Sequence, residues 1–169
     1  MDGRKEYEGD YRNDKKDGYG IYYFDDMSYY DGEFQNDLKH GVGKCFYPSK
    51  IIKYDGEFSQ GKMEGYGKSY YKEGHLKYDG QIMDGKRDGY GIYNYTDGSK
   101  FEGHWSNDKR EGHGKYYWTD GEIYEGNWHQ GVRNGIGTFY YVFGAKYIGN
   151  WVNDMKHGLG RFYFEDGRV

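Results

Sequence analysis

Glycine recurs at three fixed positions of a unit of 23 or 24 residues, and no other feature of the sequence constrains the fold as strongly. When a recurring aromatic residue is taken as position 1, positions 3, 12 and 14 are glycine in all seven units, which accounts for 21 (3 × 7) of the 30 glycines. A period of this length predicts an array of small stacked units rather than one globular core. The units begin at Tyr7, Tyr30, Tyr54, Tyr78, Phe101, Tyr124 and Tyr147.

The seven units follow one another without a large gap. Asp2-Gly3-Arg4, before the first unit, matches Asp166-Gly167-Arg168 in the last one. We therefore interpret residues 1–6 as the tail of a possible preceding repeat, and the chain as a possible piece of a longer array. The predicted units span residues 7–29, 30–53, 54–77, 78–100, 101–123, 124–146 and 147–169.

Each unit carries the pattern of two β-strands. In the sixth unit Tyr124, Gly126 and Trp128 alternate with polar residues, and this period of two predicts a strand with one buried face. Positions 14, 16 and 18 predict a second strand, and the polar stretch between the strands has the Asn, Asp and Gly of a hairpin turn. One hairpin is marginal in water, so consecutive hairpins are expected to pair. The prediction is an all-β fold: an elongated single-layer antiparallel meander of seven hairpin repeats, twisted or curved, with an aromatic groove.

Glycine inside a strand weakens the strand, so its regular use at positions 3 and 14 needs a reason. The steric explanation is that an aromatic ring lies flat over positions that carry no side chain. Aromatic residues make up 21% of the chain, and they supply the apolar surface that the fold must bury. The glycines are therefore predicted to form slots for the rings.

Composition excludes several classes of function. The formal net charge is −4 with interspersed signs, so no basic face for nucleic acid is predicted. Cys45 is the single cysteine, which rules out an internal disulfide and predicts a reducing compartment. The apolar runs are too short for a membrane-spanning helix, and no secretory leader is predicted.

No pattern of a catalytic, cofactor or metal site is found. The sequence lacks a Gly-x-Ser-x-Gly elbow and a phosphate loop, and pairs such as Gly89 and Gly91 lie in predicted strands without the helix of a dinucleotide site. His104, His113 and His129 come from adjacent hairpins, but their spacing does not match a zinc site. The chain is predicted not to be an enzyme and to need no cofactor or metal.

The segment Tyr124-Glu-Gly-Asn-Trp128, followed by Gly131, Gly135 and Gly137, resembles the MORN repeat, written YEGxWxxGxxxGxG. The resemblance covers the chain from Tyr7 onward and departs from the motif only modestly, for example at Ile82. It implies a meandering β-sheet and a non-enzymatic scaffold at cilia, the cortical cytoskeleton or membrane junctions. The last two units are similar to the MORN arrays of radial spoke head proteins. The resemblance therefore implies a cytoplasmic protein associated with the cytoskeleton of a cilium or the cell cortex.

The aromatic stripe is the first candidate for a partner surface. A single-layer sheet leaves rings uncovered, and these rings suit an apolar or amphipathic segment of a partner protein. The predicted groove residues are Phe101, Trp105, Tyr124, Trp128, Tyr147 and Trp151. Open strand edges also allow a homodimer or a longer array.

The basic residues at the hairpin turns support an alternative. Stacked along one edge, they could bind anionic phospholipids, which would make the chain a peripheral membrane module. Acids at position 11 of several units would weaken that attraction, and a solvated edge is the simpler explanation. The edge residues of this hypothesis are Lys86, Arg87, Lys109, Arg110 and Arg133.

Overall fold

The computed structural model describes residues 6–169, in which every regular element is a β-strand and no helix forms. The chain divides into two compact units, an N-terminal unit that ends at Lys86 and a C-terminal unit that begins at Arg87. The strand order is the sequence order, β1 to β14. The predicted all-β meander of antiparallel hairpins is confirmed. The predicted repeat tail at residues 1–6 lies outside the described residues except for Glu6.

The strands come in pairs of a shorter and a longer strand, one pair for each repeat. The first seven are β1 (Tyr7–Arg12), β2 (Lys15–Tyr23), β3 (Tyr29–Gln35), β4 (Leu38–Phe46), β5 (Ile52–Ser59), β6 (Lys62–Tyr70) and β7 (Leu76–Met83). The other seven are β8 (Lys86–Asn94), β9 (Lys100–Ser106), β10 (Lys109–Tyr117), β11 (Ile123–His129), β12 (Val132–Tyr140), β13 (Lys146–Val152) and β14 (Met155–Tyr163).

The turn inside each hairpin has two residues with positive φ. In the fifth repeat these are Asn107 (φ 47°) and Asp108 (φ 68°), which join β9 to β10. Two consecutive positive φ values define the type I′ turn, whose twist matches that of paired strands and which Asn, Asp and Gly tolerate best. This requirement explains why position 8 is occupied only by Asp or Gly.

Acids in the turns and close to them tie consecutive hairpins together. The backbone N–H of Asn107 donates to the Asp88 carboxylate of the preceding repeat at 3.0 Å. In the reverse direction the Arg87 N–H donates to the Asp108 carboxylate at 3.1 Å. Backbone donors at the turns are thereby satisfied by the neighbouring repeat, so the acids at positions 8 and 11 have a structural use.

The glycines at positions 3 and 14 face each other across hairpins of both units. Gly126 pairs with Gly137, and the ring of Tyr124 lies across both, so that a Cβ on Gly126 would come within 2.6 Å of the Tyr124 hydroxyl oxygen. That hydroxyl donates to the carbonyl of Asn127 at 3.0 Å. The predicted slots exist, and the ring in each slot comes from position 1 of the same hairpin.

We expect Gly126→Val to destabilise the C-terminal unit, because the added side chain meets both the Tyr124 ring and the Gly137 backbone. Overpacking of this kind costs about 1–3 kcal/mol, and a clash with backbone falls at the upper end. Denaturant unfolding measures the change. Gly121→Asn is the matched control, since Gly121 has positive φ but open space around it, which Asn tolerates. Equal stability of Gly126→Val and the wild type would contradict the slot.

Candidate interaction surface

Within each compact unit the rings at positions 1 and 5 stack on one another, and we call these rings the inner ring ladder. In the C-terminal unit Phe101 contacts Trp105 of its own repeat and Trp128 of the next, with ring centroids 5.0 and 5.3 Å apart and planes nearly perpendicular. Tyr124 repeats the pattern with Trp128 and Trp151, each at 5.3 Å. Edge-to-face contacts of this geometry are favourable for aromatic pairs. The ladder therefore forms the core of the repeat array.

The N-terminal unit has the same ladder with smaller rings. Tyr30 contacts Phe34 and Phe58, each at a centroid distance of 5.1 Å, and Tyr54 contacts Phe58 at 5.2 Å. All of these rings except Tyr7 and Tyr11 of the first repeat are buried. The two units thus use one packing scheme.

Tryptophan at position 5 adds a hydrogen bond between repeats. The indole N–H of Trp105 donates to the carbonyl of Gly91 at 3.1 Å, and that of Trp128 to the carbonyl of Gly114 at the same distance. Each bond joins a repeat to the one before it. The last three repeats, which have tryptophan here, are therefore linked by polar as well as apolar contacts.

The six predicted groove residues are all members of the inner ring ladder. Their relative exposures are 0% for Phe101, 4% for Trp105, 0% for Tyr124, 4% for Trp128, 8% for Tyr147 and 3% for Trp151. The expectation that these rings stay accessible is wrong, because each is enclosed by a neighbouring ring, by glycine backbone and by a cationic side chain. A partner could reach them only by displacing those side chains.

The cationic side chains are those of position 10. The guanidinium of Arg87 lies 4.1 Å from the ring centre of Trp105, that of Arg110 lies 4.2 Å from Trp128, and that of Arg133 lies 4.5 Å from Trp151. A guanidinium over an indole face is a favourable cation–π contact. Three of the five predicted lipid-edge residues therefore cover the ladder on the ring face of the sheet.

These arginines also have polar partners. Arg87 forms an ion pair with Asp108 at 2.8 Å, Arg133 forms one with Asp154 at 3.0 Å, and Arg110 donates to the carbonyl of Gly131 at 2.5 Å. Lys86 and Lys109, the other two edge residues, are exposed at the hairpin turns, where Lys109 donates to Gln130. The structure therefore does not bring the five predicted residues together as one uncovered basic stripe. Binding of anionic lipid by this edge stays a prediction.

A second row of rings, at positions 16 and 18, lies beside the ladder on the same face. In the C-terminal unit this outer ring row is continuous, with successive centroids between 4.6 and 5.7 Å apart. Most of its members are half-buried, and Phe164 is exposed. The row comprises Tyr93, Tyr95, Tyr116, Trp118, Phe139, Tyr141, Phe162 and Phe164.

One turn next to the outer ring row is apolar. Val142 and Phe143 are exposed at 49% and 78% in the turn that follows Tyr141. The equivalent turns of the two preceding repeats carry Thr-Asp, as at Thr119 and Asp120. Sequence reasoning missed this pair, although an apolar pair in a turn that is elsewhere polar was a usable signal. The turn and the outer ring row together give the C-terminal unit a partly exposed apolar surface.

Two of the three histidines considered as metal ligands, His104 and His129, have other contacts. His129 Nδ1 lies 2.8 Å from the Glu111 carboxylate, and the His104 ring packs edge-on against Tyr90. Residues 6–169 contain no group of three or more His, Cys, Asp or Glu side chains that could hold a metal ion. The same residues include no helix long and apolar enough to cross a membrane.

Burial changes the ionisation of the position 1 tyrosines. Burial raises the pKa of Tyr124 to about 12, and the nearby Arg133 partly opposes the shift. Burial likewise raises the pKa of the Tyr30 and Tyr54 hydroxyls well above their ordinary value. The folded state therefore favours the protonated form of these hydroxyls.

Tyr124→Phe tests whether the raised pKa of the Tyr124 hydroxyl makes stability depend on pH. Phenylalanine fits position 1, since Phe101 occupies that position in the fifth repeat. The pKa of the Tyr124 hydroxyl is higher in the folded than in the unfolded chain, where it is about 10. The protonated hydroxyl therefore stabilises the fold fully below pH ~10, and this stabilisation is lost as the pH rises toward ~12. We expect the variant to be about 1 kcal/mol less stable at pH ~8, where it lacks one hydrogen bond. Urea unfolding across this range should show the difference shrinking with pH. A difference that stays constant would contradict the shift.

Arg110→Gln and Lys109→Gln compare a cation over the rings with a cation at the turn. We expect Arg110→Gln to lower the free energy of unfolding by about 1–2 kcal/mol, because it loses the contact with Trp128 and the bond to Gly131. Lys109→Gln should stay within about 0.5 kcal/mol of the wild type. Thermal and denaturant unfolding measure both. Equal effects would mean that Arg110 does not stabilise the ladder.

The chain matches the family model of the MORN repeat seven times, at residues 7–26, 30–50, 54–76, 78–100, 101–123, 124–142 and 147–167. The matches begin at the same residues as the seven units defined by the glycine pattern. No curated protein matches the chain. Arrays of this repeat generally serve as non-catalytic scaffold modules for protein or membrane interactions. The chain belongs to the MORN-repeat family.

Proposed function

We propose that this chain is a non-enzymatic scaffold that binds a partner protein along the outer ring row of its C-terminal unit. The observation that carries the proposal is the continuous row of mostly half-buried rings, one of which, Tyr141, directly precedes the exposed Val142 and Phe143. Clustered exposed apolar side chains are unusual on a surface that contacts only water. Aromatic side chains are also the commonest anchors of protein interfaces. A partial apolar surface with tyrosine hydroxyls at its margin suits an amphipathic segment.

The inner ring ladder has a different role in this proposal. Its rings fix the spacing and orientation of the repeats, so the outer ring row is held on a rigid support. Pre-organisation of this kind reduces the entropy that binding would otherwise cost. The partner contacts side chains that are already in place, and the six ladder residues act through the shape that they maintain.

The proposed cellular setting is the cytoskeleton of a cilium, in a radial-spoke-like assembly, or the cell cortex. It follows from the family and from the similarity of the last two repeats to the arrays of radial spoke head proteins. A scaffold in such an assembly should stay with the filaments when membranes are dissolved.

The test is extraction of cells that express the tagged chain with a mild detergent. The double variant Val142→Thr with Phe143→Asp gives the sixth turn the Thr-Asp pair of the fourth and fifth repeats, so it removes apolar surface without new backbone demands. We expect the wild type to stay in the cytoskeletal fraction. The amount of the double variant in that fraction should be about tenfold lower, because the loss of one anchor residue commonly costs an interface that much affinity.

Ile136→Thr is the matched control. Ile136 is 65% exposed, but it pairs with Asn150 on the other face of the sheet, so its loss should leave retention unchanged. Release of the wild type together with the membranes would contradict the scaffold. Flotation of the purified chain with phosphatidylserine vesicles would then be expected, and the charge reversal Lys86→Glu with Lys109→Glu should abolish it.

A further inference from the structure

The outer ring row is interrupted in the N-terminal unit. Position 16 carries Cys45 in the second repeat and Ser69 in the third, whereas the other five repeats carry a ring there. Those rings are Tyr22, Tyr93, Tyr116, Phe139 and Phe162. Up to Cys45 and Ser69 the strand register is that of the other repeats, and a register shift follows each of these two residues. The missing rings therefore leave space on the ring face.

Cys45 lies in the place that an aromatic ring fills elsewhere. It is flanked in the sheet by Tyr30 and Tyr54, as Tyr116 is flanked by Phe101 and Tyr124. The Tyr116 ring fills its own place by packing on Trp118 and on Trp128. No such ring stands at Cys45. Its equivalent neighbours are Tyr47, which is half-buried, and Phe58, which is buried with the Lys39 ammonium 5.7 Å from its ring centre.

A cavity of about 350 Å³ occupies this place. Tyr54, Phe58 and Met63 provide its apolar walls, and Lys39 and Lys53 provide ammonium groups. An apolar cavity of about 150 Å³ is enough to bind benzene, so the volume suffices for a tyrosine ring. We call the site formed by Cys45 and these five residues the Cys45 socket.

The same repeat has an inserted lysine beside the socket. The second and third units have 24 residues, and the extra residue appears as a register shift between Cys45 and Phe46. The Lys53 ammonium consequently lies 5.8 Å from the ring centre of Tyr47, on the ring face. Lys100, which like Lys53 directly precedes a position 1 ring, belongs to a 23-residue repeat. Its ammonium lies over Tyr117 on the opposite face of the sheet. The missing ring and the added positive charge thus occur together.

The two lysines at the socket lack the acidic partners that their counterparts have. Arg87 and Arg133 pair with aspartates at position 8 of the next repeat, but that position is Gly61 for Lys39. Lys39 Nζ instead lies 3.9 Å from Cys45 Sγ and 4.8 Å from the ring centre of Tyr30. Within the described part of the chain, neither Lys39 nor Lys53 forms a close ion pair with a carboxylate. Hydrogen bonds from Ser28 and, to a smaller extent, the positive charge of Lys53 lower the pKa of the Asp26 carboxyl.

An adjoining cavity of about 440 Å³ shares Lys39, Cys45 and Lys53 and extends toward Asp25 and Asp26. The Asp26 carboxylate accepts hydrogen bonds from the backbone and hydroxyl of Ser28, so part of its charge is already satisfied in its own turn. A ligand carboxylate would therefore meet the ammonium groups most favourably on the Tyr54 side of the socket.

We propose that the Cys45 socket binds a tyrosine or phenylalanine side chain of a partner protein in which the ring is flanked by carboxylates. The Lys39 side chain, which covers Phe58, moves aside as the ring enters the place beside Cys45. The flanking carboxylates then meet the ammonium groups of Lys39 and Lys53. The inference rests on the proposed function in that the occupant belongs to a protein partner. It concerns the N-terminal unit, whereas the scaffold surface proposed above lies in the C-terminal unit.

Alkylation of Cys45 by iodoacetamide reports occupancy directly, since the chain has no other cysteine. Burial raises the pKa of the thiol, so the reaction is slow enough to follow near pH ~8.5. The probe is acetyl-Glu-Tyr-Glu-amide. We expect a dissociation constant of about 5 mM for one ring and its ion contacts, so about 10 mM peptide should slow alkylation about threefold.

Two comparison peptides separate the contributions of ring and charge. Acetyl-Glu-Ala-Glu-amide lacks the ring and acetyl-Lys-Tyr-Lys-amide reverses the charge, and we expect neither to slow alkylation. Protection by the alanine peptide would mean that only charge is recognised, and protection by the lysine peptide that charge is irrelevant. Either result would overturn the proposal.

A second experiment uses variants of the chain. Broadening of the proton NMR signals of the tyrosine peptide measures its binding to each variant. Cys45→Tyr fills the socket and should abolish binding, while Ser69→Tyr fills the other gap and should leave it intact. Should Cys45→Tyr not fold, Lys39→Gln with Lys53→Gln should weaken binding of the acidic peptide about fivefold without affecting acetyl-Gln-Tyr-Gln-amide. Absence of binding to the folded wild type refutes the socket, whereas only the extraction experiment refutes the scaffold.

Discussion

The structure depends on one contact, an aromatic ring that lies across two paired glycines. At Tyr124 the ring covers Gly126 and Gly137 and its hydroxyl reaches the Asn127 carbonyl. Any side chain on either glycine would occupy the volume of the ring. The glycines weaken the strands, but they allow a large apolar surface to be buried against backbone in a sheet that has few aliphatic residues. The regular spacing of the ladder follows from repetition of this contact.

The way in which the ladder is covered decides which parts of the ring face can bind a partner. Arginine at position 10 lies over the tryptophan of the next repeat and pairs with aspartates such as Asp108 and Asp154. These contacts use charges that would otherwise be available to a membrane or an acidic ligand. What stays accessible is the outer ring row, the apolar turn at Val142 and Phe143, and the socket at Cys45. The apolar turn and the socket, on which the two proposals rest, are places where one repeat departs from the common pattern.

The repeat pattern predicted most of the fold and less of the candidate surface. Glycine at positions 3, 12 and 14 and the alternation around Trp128 were sufficient for the hairpins, their boundaries and the ring slots. The same pattern could not tell which rings are covered. Trp105 and Trp128 are the largest side chains and looked like anchors, but their size and their indole N–H groups suit them to the interior. Exposure depends on contacts between repeats, which no single repeat sequence contains.

By itself the sequence determined the period, the two-stranded unit and the family, because each depends on local spacing and on residue types that few backbones accept. The tertiary structure decided which side chains are buried, which cations are paired and where space remains. Lys53 illustrates the difference: its place in the sequence is that of an inserted residue, and only the register shift after Cys45 turns it to the ring face. Burial and charge pairing are properties of neighbouring strands, so they are settled when the repeats pack against one another.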